Sequence, residues 1–311
     1  DLFTTISAVF MGDLASKISE NMPTTLTQNR IILQVERRIL ALFSQKKGNL
    51  PRRWWGPLPL SLFESLQFIC KLPISSQDLP PATKLAVDCI ECLLCASSIT
   101  ARCRLFTNLF NNLKTHYHCG LRAHSITLLK NFLHDTWLQA CQSGVPSLYS
   151  GERQLNENEV CAPFERRYLL PLCKDLFRFP LAECKESLLD QFSWLMAALN
   201  FILYVNIRAK NMNTTLCDPA VASLTAKVLQ SVNMTDEQGK SFLKSSFIKN
   251  ITTELRQLTD RYTMAEKEHL TSPDPKTFAP GAPSLEECRL TLLKLNLISN
   301  TLTRLQEFQL V

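Results

Sequence analysis

Glycine is scarce in this 311-residue chain, with eight in all. Loops that cradle phosphates need backbone that bends tightly and comes close to the ligand, which glycine permits. "QGKSF" at 238–242 is a fragment of such a loop, but it lacks the earlier glycine that the motif requires. Neither G-x-S-x-G nor H-E-x-x-H occurs, so the hydrolase elbow and the zincin helix are absent as motifs. No segment alternates between apolar and polar residues with period two, which leaves no strand pattern. Long apolar runs are missing as well. "FSWLMAALNFILYV", 192–205, lies between Asp190 and Arg208 and falls short of the roughly 18 residues needed to span a bilayer. It is expected to be a central helix buried on nearly all sides, with no membrane partner.

Charge of one sign is also in short supply. Thirty-four Lys and Arg against 28 Asp and Glu give +6, a mild excess over a large surface and too weak a footprint for nucleic acid. One local exception is "KKGNLPRRWWG", 46–56, where Arg52 and Arg53 sit beside Trp54 and Trp55. Basic and aromatic residues together can stack bases or hold an acidic partner. The plainer reading is a surface loop whose tryptophans cover neighbouring helix ends.

What the chain does have is helical period. In 26–44, Ile32, Val35, Ile39, Leu42 and Phe43 share one face while Arg30, Gln34, Arg37 and Arg38 occupy the others. Similar patterns cover 2–19, 59–71, 82–97, 99–116, 121–142, 166–178, 182–208, 219–232, 236–269 and 285–309. Thr235 with Gln238, and Ser284 with Glu287, have the spacing of reciprocal helix caps. Asp218 before Pro219 places a capping carboxylate ahead of the first helical position. Breaks fall at "GNLPRRWWGPLP", across 143–163, and at "TSPDPKTFAPGAP", 271–283.

Helices in succession with short connections suit an α-solenoid of degenerate HEAT or armadillo-like helix pairs. An all-α chain is therefore expected, with a HEAT-like subarray over 1–142, a long connecting loop over 143–165 and a C-terminal HEAT-like subarray over 166–311. The opening "DLFTTISAVF" carries no charged-then-apolar leader and looks like a cut inside a larger protein. Twelve cysteines and three sequons, at Asn213, Asn233 and Asn250, fit a secreted reading. Against it, Cys70, Cys89, Cys92, Cys95, Cys173 and Cys184 lie in apolar helical patterns, where free cysteine acts as a small hydrophobe. A reducing, cytoplasmic compartment is expected.

Histidine clusters in "THYHCGLRAHS". His116, His118, His124 and His134 lie within nineteen residues, and there are five in the chain. In an unbroken helix His124 and His134 stand about 15 Å apart along the axis, too far to share one ion. His116 and His118, if helical, diverge by about 200°. "CIECLLC" puts Cys89, Cys92 and Cys95 along one helical stripe with no second C-x-x-C to complete a zinc site. No cofactor or metal is expected. After Gly120, Leu121, Leu128, Leu129, Phe132, Leu133 and Trp137 form an apolar arc, and His124, Thr127, Asn131, His134 and Asp135 fill the opposite one. The candidate partner-binding residues, chosen by expected exposure, are His124, Asn131, His134, Arg52, Arg53, Trp54 and Trp55.

The order, length and apolar pattern of "HCGLRAHSITLLKNFLHD" (118–135), "MAALNFILYVNIRAKN" (196–211), "LRQLTDRYTMAEKE" and "LTLLKLNLISNTLTRLQEF" resemble the glomulin family of HEAT-like proteins. The likeness covers essentially all 311 residues, which look like the family's C-terminal half. It implies a non-enzymatic protein that binds the RING subunit of cullin-RING ubiquitin ligases. By masking the surface where the ubiquitin-conjugating enzyme docks, it would inhibit ubiquitin transfer. It also implies a link to FKBP-type immunophilins. No short motif fixes the register, so no contact residue carries over. Two other readings stay open: a generic HEAT-repeat scaffold or adaptor in transport or chromosome-associated complexes, and a cysteine enzyme or zinc protein.

Overall fold

The computed structural model describes residues 99–115, 119–142, 166–177, 188–214, 219–234, 241–271 and 282–307, with isolated positions between 84 and 97. The described residues are mostly helical and contain no strand, as expected of an all-α fold. It divides into two compact units, Asp1–Leu121 with Arg153–Pro163, and Arg122–Glu152 with Phe164–Val311. The expected loop over 143–165 lies outside the described residues, apart from its place in that division.

In the first unit, α1 (Ile99–Thr115) turns Ala101, Cys103, Phe106, Leu109 and Phe110 inward at helical spacing. Phe106 and Phe110 stack with ring centroids 6.5 Å apart. Arg102 donates from its guanidinium to the carbonyls of Ser97 (2.9 Å) and Cys95 (3.0 Å). Those carbonyls precede the helix and gain charge-assisted partners.

α2 (Cys119–Gln142) belongs to the second unit from Arg122 onward. Its Ile126, Leu128, Leu129, Phe132, Leu133 and Trp137 are buried, as the 3.6-residue period dictates. α3 (Arg166–Leu176) buries Leu169, Leu172, Cys173 and Leu176, and carries Pro171 on its exposed side. The ring cannot donate to the carbonyl one turn back, so this short helix relies on packing for its stability.

The next helix corrects the sequence reading twice. A start at 182 is expected, yet Leu188–Gln191 form a turn, and α4 runs over Phe192–Thr214. The Leu188 amide donates to Glu254 Oε1 at 2.9 Å, which holds the turn against a later helix. The apolar stretch is also longer than expected. Phe192–Asn211 is, by length and composition alone, one helix long and apolar enough to cross a membrane. More than half of that stretch is buried inside the protein. Trp194, Leu195, Ala198, Leu199, Phe201, Ile202 and Val205 face other helices, so core packing accounts for its apolar character.

α5 (Pro219–Val232) opens on proline, whose missing amide costs nothing at a helix start. It stops at Met234, which takes a left-handed conformation with φ 49°. That conformation costs a residue with a Cβ about 1–2 kcal/mol, and burial of the Met234 side chain offsets it. A π-helical turn, Leu243–Ile248, buries Leu243, Phe247 and Ile248 and leads into α6 (Lys249–Thr271). α7 (Leu285–Glu307) completes the described elements. α5 packs on α3 and α4, while α7 packs on α6 and α4. Arg289 meets Glu266 at 3.2 Å, and a His269 ring nitrogen lies 2.8 Å from the Pro283 carbonyl. Both contacts fix α6 and α7 as an antiparallel pair.

The start of α7 is the reciprocal cap that the spacing predicts. The Ser284 amide donates to Glu287 Oε2 at 2.7 Å, and the Glu287 amide donates to Ser284 Oγ at 3.2 Å. The matching expectation for Thr235 and Gln238 lies outside the described residues. Hydrogen bonds from Ser284 hold the Glu287 carboxyl below its ordinary value of 4.5. A carboxylate with a depressed value stabilises the fold above 4.5, and that contribution is lost as pH falls through the lower folded value. Glu287→Gln is expected to lower stability at neutral pH, and the loss should shrink on acidification as the carboxyl of the unaltered chain becomes protonated. Urea unfolding at two pH values checks this, and an equal loss at both contradicts a charge-dependent contribution from Glu287.

Candidate functional site

The expected partner face on α2 is narrower than the sequence suggests. Thr127, Asn131 and Asp135 are exposed, one helical turn apart, and form a polar stripe. His124 and His134 are half-buried at its flanks and do not lie on the exposed side where they are expected. His134 Nδ1 lies 2.7 Å from the Tyr204 hydroxyl of α4, with the rings edge to face. Burial raises the Tyr204 phenol above its usual value, with Asp135 adding to the rise and Arg208 opposing it. The phenol is therefore neutral at physiological pH. His124 Nε2 is buried, with no hydrogen-bond partner among the described residues. Arg52, Arg53, Trp54, Trp55, His116, His118, Cys89 and Cys92 lie outside the described residues.

Behind the stripe, α2, α3 and α4 meet at a feature with no sequence signal. Arg122 is buried, and its Nη2 donates to the carbonyls of Asp175 (2.8 Å) and Leu176 (3.2 Å) at the end of α3. Its guanidinium lies 4.3 Å from the centroid of the Trp194 ring. Trp194 Nε1 donates to the same Leu176 carbonyl at 3.1 Å. The last carbonyls of a helix lack partners within it and carry partial negative charge. A cation that donates to them and rests on an indole face satisfies hydrogen bonding and electrostatics together. Phe247 meets Trp194 edge to face at 6.1 Å and Phe177 at 5.2 Å, so the π-helical turn closes the cluster. This joint positions the α2 stripe and is itself sealed from solvent.

Among the described cysteines, two thiols sit where the thiolate is disfavoured. Burial alone drives the Cys173 thiol far above its usual range. Cys288 is raised as well, first by burial and then by Glu266 and Glu287. The nucleophile is the thiolate, and both settings suppress it. Cys95 is exposed, contrary to its expected burial, and Cys103 is buried. Among the described residues no three His, Cys, Asp or Glu side chains are placed to hold a metal ion.

A second surface went unnoticed in the sequence. α7 buries Cys288, Leu295, Ile298, Leu302 and Leu305, and these define its core face. Leu290, Leu293 and Leu297 remain 54%, 58% and 45% exposed. Leu293 precedes Leu295 by two residues, which puts it about 160° around the helix from the core side. The signal was present as a three-and-four spacing, but a second set of leucines in the same helix hid it. Comparison with family models, with curated proteins and with solved structures finds no match to this chain.

Proposed function

We propose that this chain is a non-enzymatic, cytoplasmic regulator built as a HEAT-like α-solenoid. It binds the RING subunit of a cullin-RING ubiquitin ligase and blocks docking of the ubiquitin-conjugating enzyme. The main support is that each stretch resembling the glomulin family falls within one unbroken helix. These are 118–135 from Cys119 onward in α2, 196–211 in α4, 255–268 in α6, and 290–308 as far as Glu307 in α7. The antiparallel pairing of α6 with α7 is compatible with the helix-pair repeat of a solenoid.

The partner face in this reading is the α2 stripe of Thr127, Asn131 and Asp135, flanked by His124 and His134. Its anchoring from behind by Arg122 and Tyr204 keeps it rigid, and rigidity lowers the entropic cost of association. Titrating the chain into a reconstituted ligase is expected to suppress ubiquitin transfer. Asn131→Arg with Asp135→Arg should weaken RING binding at least about tenfold with helix content unchanged. Undiminished transfer together with no RING binding overturns the reading.

A further inference from the structure

The outward face of α7 repeats every three and four residues in a pattern that core packing does not explain. Glu286, Leu290, Leu293, Leu297, Asn300 and Arg304 are all exposed. Their spacing alternates four and three residues, the a/d seam of a coiled coil. Three leucines occupy the middle of the seam, with an acid at one end and a base at the other. We infer that α7 pairs antiparallel with α7 of a second copy of this chain, through this seam, about a two-fold axis at the level of residue 295.

Symmetry and charge choose both the occupant and the direction. In an antiparallel pair an a position faces a d position of the other helix. With the axis at residue 295, Leu293 faces Leu297 of the second copy, Leu290 faces Asn300, and Glu286 faces Arg304. A two-fold interface must be self-complementary, because the same patch supplies both sides. Here Leu293 meets Leu297 at both central contacts, Leu290 meets the uncharged Asn300, and each acid meets a base at both ends. Parallel, in-register pairing would instead place Glu286 against Glu286 and Arg304 against Arg304, which like-charge repulsion disfavours. Lys294 flanks the seam near the axis, but its ammonium lies 5.9 Å from the Phe192 ring centroid of its own chain, directed toward α4. It does not crowd the axis.

A single helix pair gives an interface below standard size, so association is expected to be reversible, with a dissociation constant on the order of 10–100 µM. Sedimentation equilibrium of the 311-residue chain tests this directly. The unaltered chain should dimerise, and Leu293→Glu should abolish dimers within the accessible concentration range while circular dichroism stays unchanged. Glu286→Arg alone and Arg304→Glu alone should each weaken the dimer about tenfold, since each turns two attractive contacts into repulsive ones. The doubly reversed chain, and an equimolar mixture of the two single variants, should recover it. These charge variants keep the inference testable even if Leu293→Glu fails to fold. A chain that stays monomeric at concentrations on the order of 1 mM overturns it, as does a dimer unaffected by the single reversals. If the chain is monomeric alone but binds a RING subunit in a manner lost in Leu293→Glu, the seam belongs to that partner and self-pairing is wrong.

Discussion

Arg122→Ala is expected to lower the unfolding free energy of the second unit by about 2–4 kcal/mol, because it removes charged donors from buried carbonyls and a cation from an indole face. Hydrogen bonds from a charged donor contribute about 1.5–3 kcal/mol each, and a desolvated cation over an indole adds up to about 2 kcal/mol. These do not sum fully, because the Leu176 carbonyl keeps its bond to Trp194 Nε1 after Arg122 is gone. The Asp175 carbonyl instead loses the Arg122 donor at 2.8 Å. Arg122→Met, which preserves much of the stem, separates packing from polarity and should recover only a minor part of the loss. Urea unfolding followed by tryptophan emission measures all three chains. A loss below about 1 kcal/mol for Arg122→Ala would mean the guanidinium is a spectator at this joint.

Trp194→Ala should cost about 3–5 kcal/mol, the usual price of emptying a fully buried aromatic site. The side chain has no solvent exposure, supports Phe247 edge to face and donates to Leu176. Trp194→Phe keeps most of the apolar volume and deletes the donor, so about 1–2 kcal/mol is expected. Because Arg122 and Trp194 share both a stacking contact and an acceptor, their double variant should lose less than the two single losses combined, by about 1–2 kcal/mol. Full additivity would show that the two side chains act independently despite their proximity.

The helices were legible because burial leaves a trace at 3.6-residue spacing. Leu169, Leu172, Cys173 and Leu176 form one inward face of α3 and can be indexed without coordinates. Ser284 and Glu287 were legible because a cap is local, with both partners three residues apart. Arg122 was not, since its partners are backbone carbonyls more than fifty residues away, and backbone leaves no mark on side-chain patterning. His134 was misplaced for a similar reason. A helical wheel assigns it to the polar side, but only the path of α4 brings Tyr204 within hydrogen-bond distance. The Phe192–Asn211 run was underestimated because Asn206 and Arg208 interrupt the apolar sequence. In the fold, Asn206 returns its amide to the Ile202 carbonyl at 2.8 Å and is carried into the core.

The shared acceptor at the end of α3 also determines which kinds of genetic change the protein tolerates there. A carbonyl oxygen is present whatever side chain position 176 bears, so the contacts from Arg122 and Trp194 are indifferent to the chemical identity of residues 175 and 176 as acceptors. They depend on where the helix stops. Inserting or deleting a single residue within Arg166–Leu176 rotates the helix end by about 100° and carries both oxygens away from their donors. The acceptor role at 175 and 176 is therefore independent of the side chains there yet intolerant of length change, so the spacing up to the end of α3 is more tightly constrained than the identity of Asp175.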